Sequence, residues 1–167
     1  MRVRIRSIPV NGGLDVNFQI VPSVMGKATA EKDDLPTVFD LPVDCDLHLE
    51  MMGSDVFVTG DSRTTIHPLC ARCGEPFARE MKVDTSLTCR PEERKVPGTD
   101  SYQESEDGLV YFRRDELDLD EIIREQVLLA LPMKYLCEEN CRGLCASCGA
   151  NLNLGPHACT VKTAVTK

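Results

Sequence analysis

The chain has 167 residues, 42% of them hydrophobic and 28% charged, an ordinary globular balance that excludes wholesale disorder. Its longest apolar run, 127–133, is far shorter than the ~20 residues of a bilayer span, and its opening MRVRIRSIPV alternates Arg with aliphatics rather than building an apolar signal core; a soluble, cytoplasmic protein without membrane contact is expected. The formal charge is −8, of which −7 falls on residues 91–132 and +2 on residues 133–167, so there is no broad cationic face, no DNA binding is expected, and RNA contact has to be local.

In chain order, Val3 and Ile5 alternate with Arg2, Arg4 and Arg6. Leu14, Val16, Phe18 and Ile20 alternate with Asp15, Asn17 and Gln19. Val43, Cys45, Leu47, Leu49 and Met51 do the same, and a fourth run follows over Phe77, Met81, Val83, Thr85, Leu87 and Cys89. A period of two means one face on a core and one in water, as in an antiparallel sheet. Asn11-Gly12-Gly13 and Gly60-Asp61-Ser62 read as turns. Residues 21–36 lack a period and read as a loop, and 91–108, acidic and rich in breakers, as a mobile excursion. Residues 118–131 read as a helix whose Leu119, Ile122, Ile123, Val127, Ala130 and Leu131 form one buried stripe. Asp118, Asp120 and Glu121 suit its N-terminus, Asp120 and Arg124 form an i, i+4 pair, and Pro132 stops it.

Nine cysteines, an odd number, with no export signal argue against a disulfide framework and for metal. Five of them form the tail pattern Cys137-x3-Cys141-x3-Cys145-x2-Cys148-x10-Cys159. In the Cys145–Cys148 knuckle, two thiolates leave one tight turn and Gly149 allows the positive φ that the turn needs. Four such thiolates make a closed, structural zinc site. The favoured set is Cys141, Cys145, Cys148 and Cys159, with Cys137 competing for a place and His157 as a weaker substitute. A second pair, Cys70 and Cys73 followed by Gly74, either stands apart as structural thiols or joins Cys145 and Cys148 in a ribbon-like site; local closure of the tail is the simpler arrangement. Redox chemistry at this pair ranks lower, because a redox CxxC sits on a strand-to-helix turn.

His48-x-Glu50 followed by Pro68-Leu69-Cys70-x-x-Cys73 imitates a zinc deaminase signature. One residue too many separates proline from cysteine, and His48 sits in an alternating strand where the deaminase histidine begins a helix. The expectation is an exposed strand histidine and no catalytic residue.

CARCGEPF, DLDEIIREQVLLALPMKYLC and CRGLCASCGANLN, in that order, resemble the bacterial YceD family. The resemblance implies a role in accumulation of large-subunit ribosomal RNA and no enzymatic activity, and it places Cys70 and Cys73 at the family's first cysteine pair and Cys137, Cys141, Cys145, Cys148 and Cys159 in its tail. The expected architecture is α+β: a mainly antiparallel β-sheet or partly closed barrel with one packed amphipathic helix (residues 1–132), then a cysteine-rich zinc knuckle (133–167). The expected function is ribosome biogenesis, supporting accumulation or processing of 23S rRNA. The partner is large-subunit rRNA, its precursor or a large-subunit ribosomal protein, and the cofactor is structural zinc. Arg2, Arg4, Arg6, Arg72, Lys134, Arg142 and Lys162 are the candidate contacts. The competing function is a redox-regulated chaperone whose tail releases zinc on oxidation.

Overall fold

The computed structural model describes residues 1–25, 39–92, 109–112, 115–156, 158 and 159. Most of the stretch read as a loop at 21–36, nearly all of the acidic excursion at 91–108, and the candidates His157 and Lys162 lie outside the described residues. Of the first stretch, Pro22–Met25 forms a single helical turn, α1, whose Met25 is buried.

A five-stranded sheet forms the body. The strands β2 (Leu14–Ile20), β3 (Val43–Met52), β4 (Asp55–Ile66) and β5 (Arg79–Pro91) pair antiparallel with their sequence neighbours. The short β6 (Leu109–Phe112) adds to β5 in parallel, giving the order β2-β3-β4-β5-β6. The sheet is therefore mixed rather than purely antiparallel. β2 and β6 remain its two edges, so strand pairing closes no barrel among the described residues.

The expected alternation holds best in β3, where Val43, Cys45, Leu47 and Leu49 are buried and Asp44, Asp46 and Glu50 are exposed. β4 occupies residues for which the sequence pattern predicts no strand and a turn at Gly60-Asp61-Ser62. These three residues lie mid-strand, facing Leu47, Asp46 and Cys45 on one side and Thr85, Asp84 and Val83 on the other. Gly60 has φ 145°, and a Cβ there would lie 2.1 Å from the Asp46 carbonyl oxygen. The glycine is required by the close approach of two backbones. The actual turn is one hairpin earlier, at Gly53-Ser54 between paired Met52 and Asp55.

The helix α2 (Leu119–Leu129) buries Leu119, Ile122, Ile123 and Val127 and packs on β5, on α1 and on β1 (Arg2–Arg4). Full burial of each such side chain is worth roughly 1.5–3 kcal/mol, so this face holds the helix to the sheet. Ala130 is exposed, and the helix ends one turn short of Pro132. Asp120 does not pair with Arg124; its carboxylate meets the amino group of Met1. β1 pairs antiparallel with β7 (Glu116–Asp118), which leads into α2. Val3 and Leu117 face the core between them, and the arginines on the outer side meet acids: Arg2 with Asp118 at 2.9 Å and Arg4 with Glu116 at 3.7 Å. No helix of the described residues is long and apolar enough to cross a membrane.

Candidate metal centre

Between β4 and β5 the chain makes a short excursion that carries Cys70 and Cys73. Leu69 and Pro76 bridge its base, the Cys70 amide donates to the Glu75 carbonyl at 2.9 Å, and the Gly74 amide returns to the Cys70 carbonyl at 2.8 Å. The tail repeats this design. Leu144 and Asn151 bridge, the Cys145 amide donates to the Ala150 carbonyl at 2.8 Å, and the Gly149 amide to the Cys145 carbonyl at 2.8 Å. Gly74 and Gly149 hold nearly the same backbone angle, φ 73° and 74°, in the left-handed region that closes each knuckle and that side chains resist.

The two knuckles do not meet. Cys70 and Cys73 gather with Cys137 and Cys141, while Cys145 and Cys148 gather with Cys159; within each group all sulfurs lie within 4.8 Å of one another. This differs from both arrangements drawn from the sequence, the tail quartet of Cys141, Cys145, Cys148 and Cys159 and the ribbon of two knuckles. The reason is the path of the chain after α2. The Ala71 amide donates to the Tyr135 carbonyl at 2.8 Å, which lays residues 135–141 along the β4–β5 excursion and delivers Cys137 and Cys141 to the first knuckle. Arg72 locks that contact, its Nη1 donating to the carbonyls of Glu139 and Cys141, each at 3.0 Å.

The first group has the dimensions of a tetrahedral thiolate shell. Ligands 2.3 Å from zinc sit about 3.8 Å apart along each edge. Cys70 and Cys141 sulfurs are 3.7 Å apart, and Cys73 and Cys137 sulfurs 3.8 Å. Both separations are far beyond the ~2.05 Å of a disulfide. Cys70, Cys73 and Cys141 are buried in a small core of their own, with Phe77 and Leu136 against it. The residues present thus fit a zinc ion in number, donor type, spacing and enclosure.

Electrostatics point the same way. The main-chain amide of Cys137, aided by those of Cys73 and Arg72, holds the Cys70 thiol down at about 6. Burial, then the neighbouring sulfurs of Cys70, Cys141 and Cys73, push Cys137 up to about 12. Crowded sulfurs cannot all carry charge together unless a cation sits among them, and binding that cation displaces the protons they share. In the second group the amides of Ser147 and Cys148 lower Cys145 to about 6, whereas hydrogen bonding to the Cys148 and Cys145 sulfurs raises Cys159 to about 11.

Two asparagines outside the expected ligand set support the first group, one directly and one through the other. Asn153 Nδ2 donates to Cys141 Sγ at 3.3 Å while its Oδ1 accepts the Arg142 amide at 2.7 Å. Asn151 caps the short 3-10 turn Leu152–Leu154 by accepting from the Asn153 amide at 3.0 Å. The run Asn151-Leu152-Asn153 directly after a CxxCG knuckle was the available signal, since a side-chain amide is a good donor to a thiolate.

The basic candidates are placed differently from one another. Arg2 and Arg4 are in the β1–β7 pairs, and Arg6 lies in a 3-10 turn after β1, its Nε and Nη2 donating to Asp115 at 3.1 and 3.0 Å. The three do not share a strand face free for phosphate; each is matched by an acid. Arg72 is occupied by the carbonyls of the tail, and Lys134 and Arg142 are exposed. His48 lies mid-strand in β3, half-buried, with Nδ1 2.6 Å from the Asp15 carboxylate, and it belongs to neither sulfur group among the described residues.

Comparison with known proteins gives one family. The family model described as large ribosomal RNA subunit accumulation protein YceD matches residues 58–165, more than half of the chain and every cysteine of both groups. An uncharacterized protein of Mycobacterium tuberculosis is 33% identical over 115 residues, covering 68% of this chain and 53% of its own length. A Zea mays protein named large ribosomal RNA subunit accumulation protein YCED homolog 1, chloroplastic, is 31% identical over 126 residues, covering 62% and 43%. Its Arabidopsis thaliana namesake is 28% identical over 155 residues, covering 78% and 47%. The chain thus spans about half the length of these relatives. No solved structure matches it.

Proposed function

The chain belongs to the YceD family of large ribosomal RNA subunit accumulation proteins, and from that premise we propose that it is a non-enzymatic ribosome-biogenesis factor that supports accumulation of 23S ribosomal RNA by holding an assembling large-subunit ribosomal protein. The family match carries the reading. Two properties of the chain favour a protein over a phosphate backbone as the direct contact. Its formal charge is −8, complementary to a basic partner. The arginines that would have met RNA are spent on Asp115, Glu116 and Asp118.

In this reading zinc is structural. Cys70, Cys73, Cys137 and Cys141 would hold it, and a closed shell of four thiolates leaves no position for substrate. The ion fastens residues 135–141 to the β4–β5 excursion, where few apolar side chains are available to do so.

The test is affinity purification of the full chain from growing cells after protein and RNA cross-linking, together with 23S and 16S levels in cells depleted of it. Expected are enrichment of a large-subunit ribosomal protein and a selective fall in 23S. Direct cross-links to precursor rRNA without a ribosomal protein would replace the proposed contact with RNA. An unchanged 23S level with neither partner enriched would remove the function.

A further inference from the structure

We propose that the second knuckle controls how firmly the quartet keeps its ion, acting through Asn153, a positioning residue that hydrogen-bonds a ligand sulfur. This rests on the reading of Cys70, Cys73, Cys137 and Cys141 as the holders of zinc; the ribosomal partner plays no part in it. The orientation of the Asn153 amide is the first observation. Its Oδ1 lies 2.7 Å from the main-chain nitrogen of Arg142, a group that can only donate, so Nδ2 is the end turned toward sulfur. Nδ2 carries two hydrogens, and two acceptors receive them: Asn151 Oδ1 at 2.9 Å and Cys141 Sγ at 3.3 Å. Both ends of the amide are engaged, which fixes the side chain in one position.

The second observation is what holds Asn153 there. Leu144 bridges Asn151, and the Leu152 amide donates to the Gly143 carbonyl at 2.9 Å. Folding of the knuckle over 144–151 is thus what brings the turn Leu152–Leu154 back to Cys141. Third, the base of this knuckle rests on the first one. Gly143 holds φ 72°, and a Cβ there would lie 3.0 Å from the Arg72 carbonyl oxygen. Cys141 is therefore gripped from two directions, its carbonyl by Arg72 at 3.0 Å and its sulfur by Asn153. Four thiolates around one divalent cation leave an excess of negative charge, and a donor aimed at one sulfur disperses it. Partners of this kind also fix the ligand's orientation and tune the metal. Opening the second knuckle withdraws the donor and frees Cys141 to leave the shell.

In the test, full-length zinc-loaded protein is challenged with excess chelator and iodoacetamide. Peptide mass spectrometry reads how fast Cys70 and Cys73 are alkylated, which follows loss of the quartet's ion whatever binds elsewhere. Each variant is first checked for unchanged circular dichroism. Asn153→Asp keeps the shape and the acceptor for the Arg142 amide but replaces the donor to sulfur by an acceptor; alkylation should be about tenfold faster or more. Gly149→Val alters no sulfur and has room for its side chain, yet it strains the turn at φ 74° that closes the second knuckle; it should hasten alkylation of Cys70 and Cys73 as well. Asn140→Leu, at an exposed position beside the same ligand, should match the wild type. Cobalt(II)-loaded Asn153→Asp should show sulfur-to-cobalt charge transfer at lower energy than the wild type, because the sulfur lone pair has lost its donor. Alkylation at the wild-type rate in Asn153→Asp or in Gly149→Val, an unshifted cobalt band, or an Asn140→Leu variant as fast as Asn153→Asp overturns control by the second knuckle. Wild-type protein whose Cys70 and Cys73 react equally fast with and without zinc overturns the quartet as a metal site, and this control with it.

Discussion

The sulfurs of Cys70 and Cys141 lie 3.7 Å apart across a sequence separation of 71 residues. They join the excursion between β4 and β5 to the segment that follows α2. The quartet is therefore a tertiary site, and its loss should be felt by the body of the protein as well as by the tail. Cys141→Ser is expected to lose the zinc of the quartet and to melt at a temperature lower by on the order of 10 °C, because a ligand bound only to the folded state stabilises that state. Differential scanning calorimetry with and without zinc checks it; a melting point equal to that of the wild type would mean that the quartet holds no ion.

Gly60 tests the sheet. A methyl group there would strike the Asp46 carbonyl from 2.1 Å, and φ 145° resists any side chain. Gly60→Ala should cost roughly 3 kcal/mol or more in urea unfolding. Gly12→Ala, where a Cβ has nothing within 4 Å, carries only the strain of its φ of 86°, about 1–2 kcal/mol. Equal midpoints for the two variants would contradict the packing of β3 against β4.

The β1–β7 arginines are solvent-exposed, and exposed ion pairs contribute little and are screened by salt. Replacing Arg2, Arg4 and Arg6 together by Gln should shift melting by no more than a few degrees at low salt, with the difference vanishing near 1 M NaCl. The same triple variant should capture the partner undiminished in pull-down. A loss of capture would return these residues to the interface.

Cys45 and Cys89 are the two cysteines outside the two sulfur groups, and burial pushes both thiols up to about 11. The unfolded chain ionises these thiols near 9, so above that pH it releases protons that the folded chain retains. Stability from this source is complete below pH 9 and declines as pH rises through 11. Iodoacetamide at pH 8 should leave both unmodified in the folded, chelator-treated protein while Cys148 reacts. Mass spectrometry of peptides reads the result.

Much of this architecture is written in local periodicity. The alternation in residues 14–20, 43–51 and 81–89 and the apolar stripe of 119–127 identify β2, β3, β5 and α2, because each of these elements has one wet and one dry face. β4 escapes that test. It is flanked by strands on both sides, its polar residues Ser62 and Thr65 do not keep a simple period, and a glycine demanded by a neighbouring backbone imitates a turn. That the cysteines gather was legible from their type and spacing, but their division into two groups was not. Spacing weighs only near neighbours, whereas Cys137 and Cys141 are claimed by a knuckle more than sixty residues earlier. The fate of Arg2, Arg4 and Arg6 was likewise set by β7 and the Asp115 before it, over a hundred residues away.

The two sulfur groups differ in when they can form. Cys145 and Cys159 stand 14 residues apart, whereas the quartet needs partners 64 and 71 residues distant. On a chain being synthesised from its N-terminus, Cys70 and Cys73 leave the exit tunnel with no companions until the helix and the segment beyond it have been made. An ion captured at the quartet would thus certify that β4, β5 and α2 are already in register, and would serve as the last latch of assembly rather than its seed.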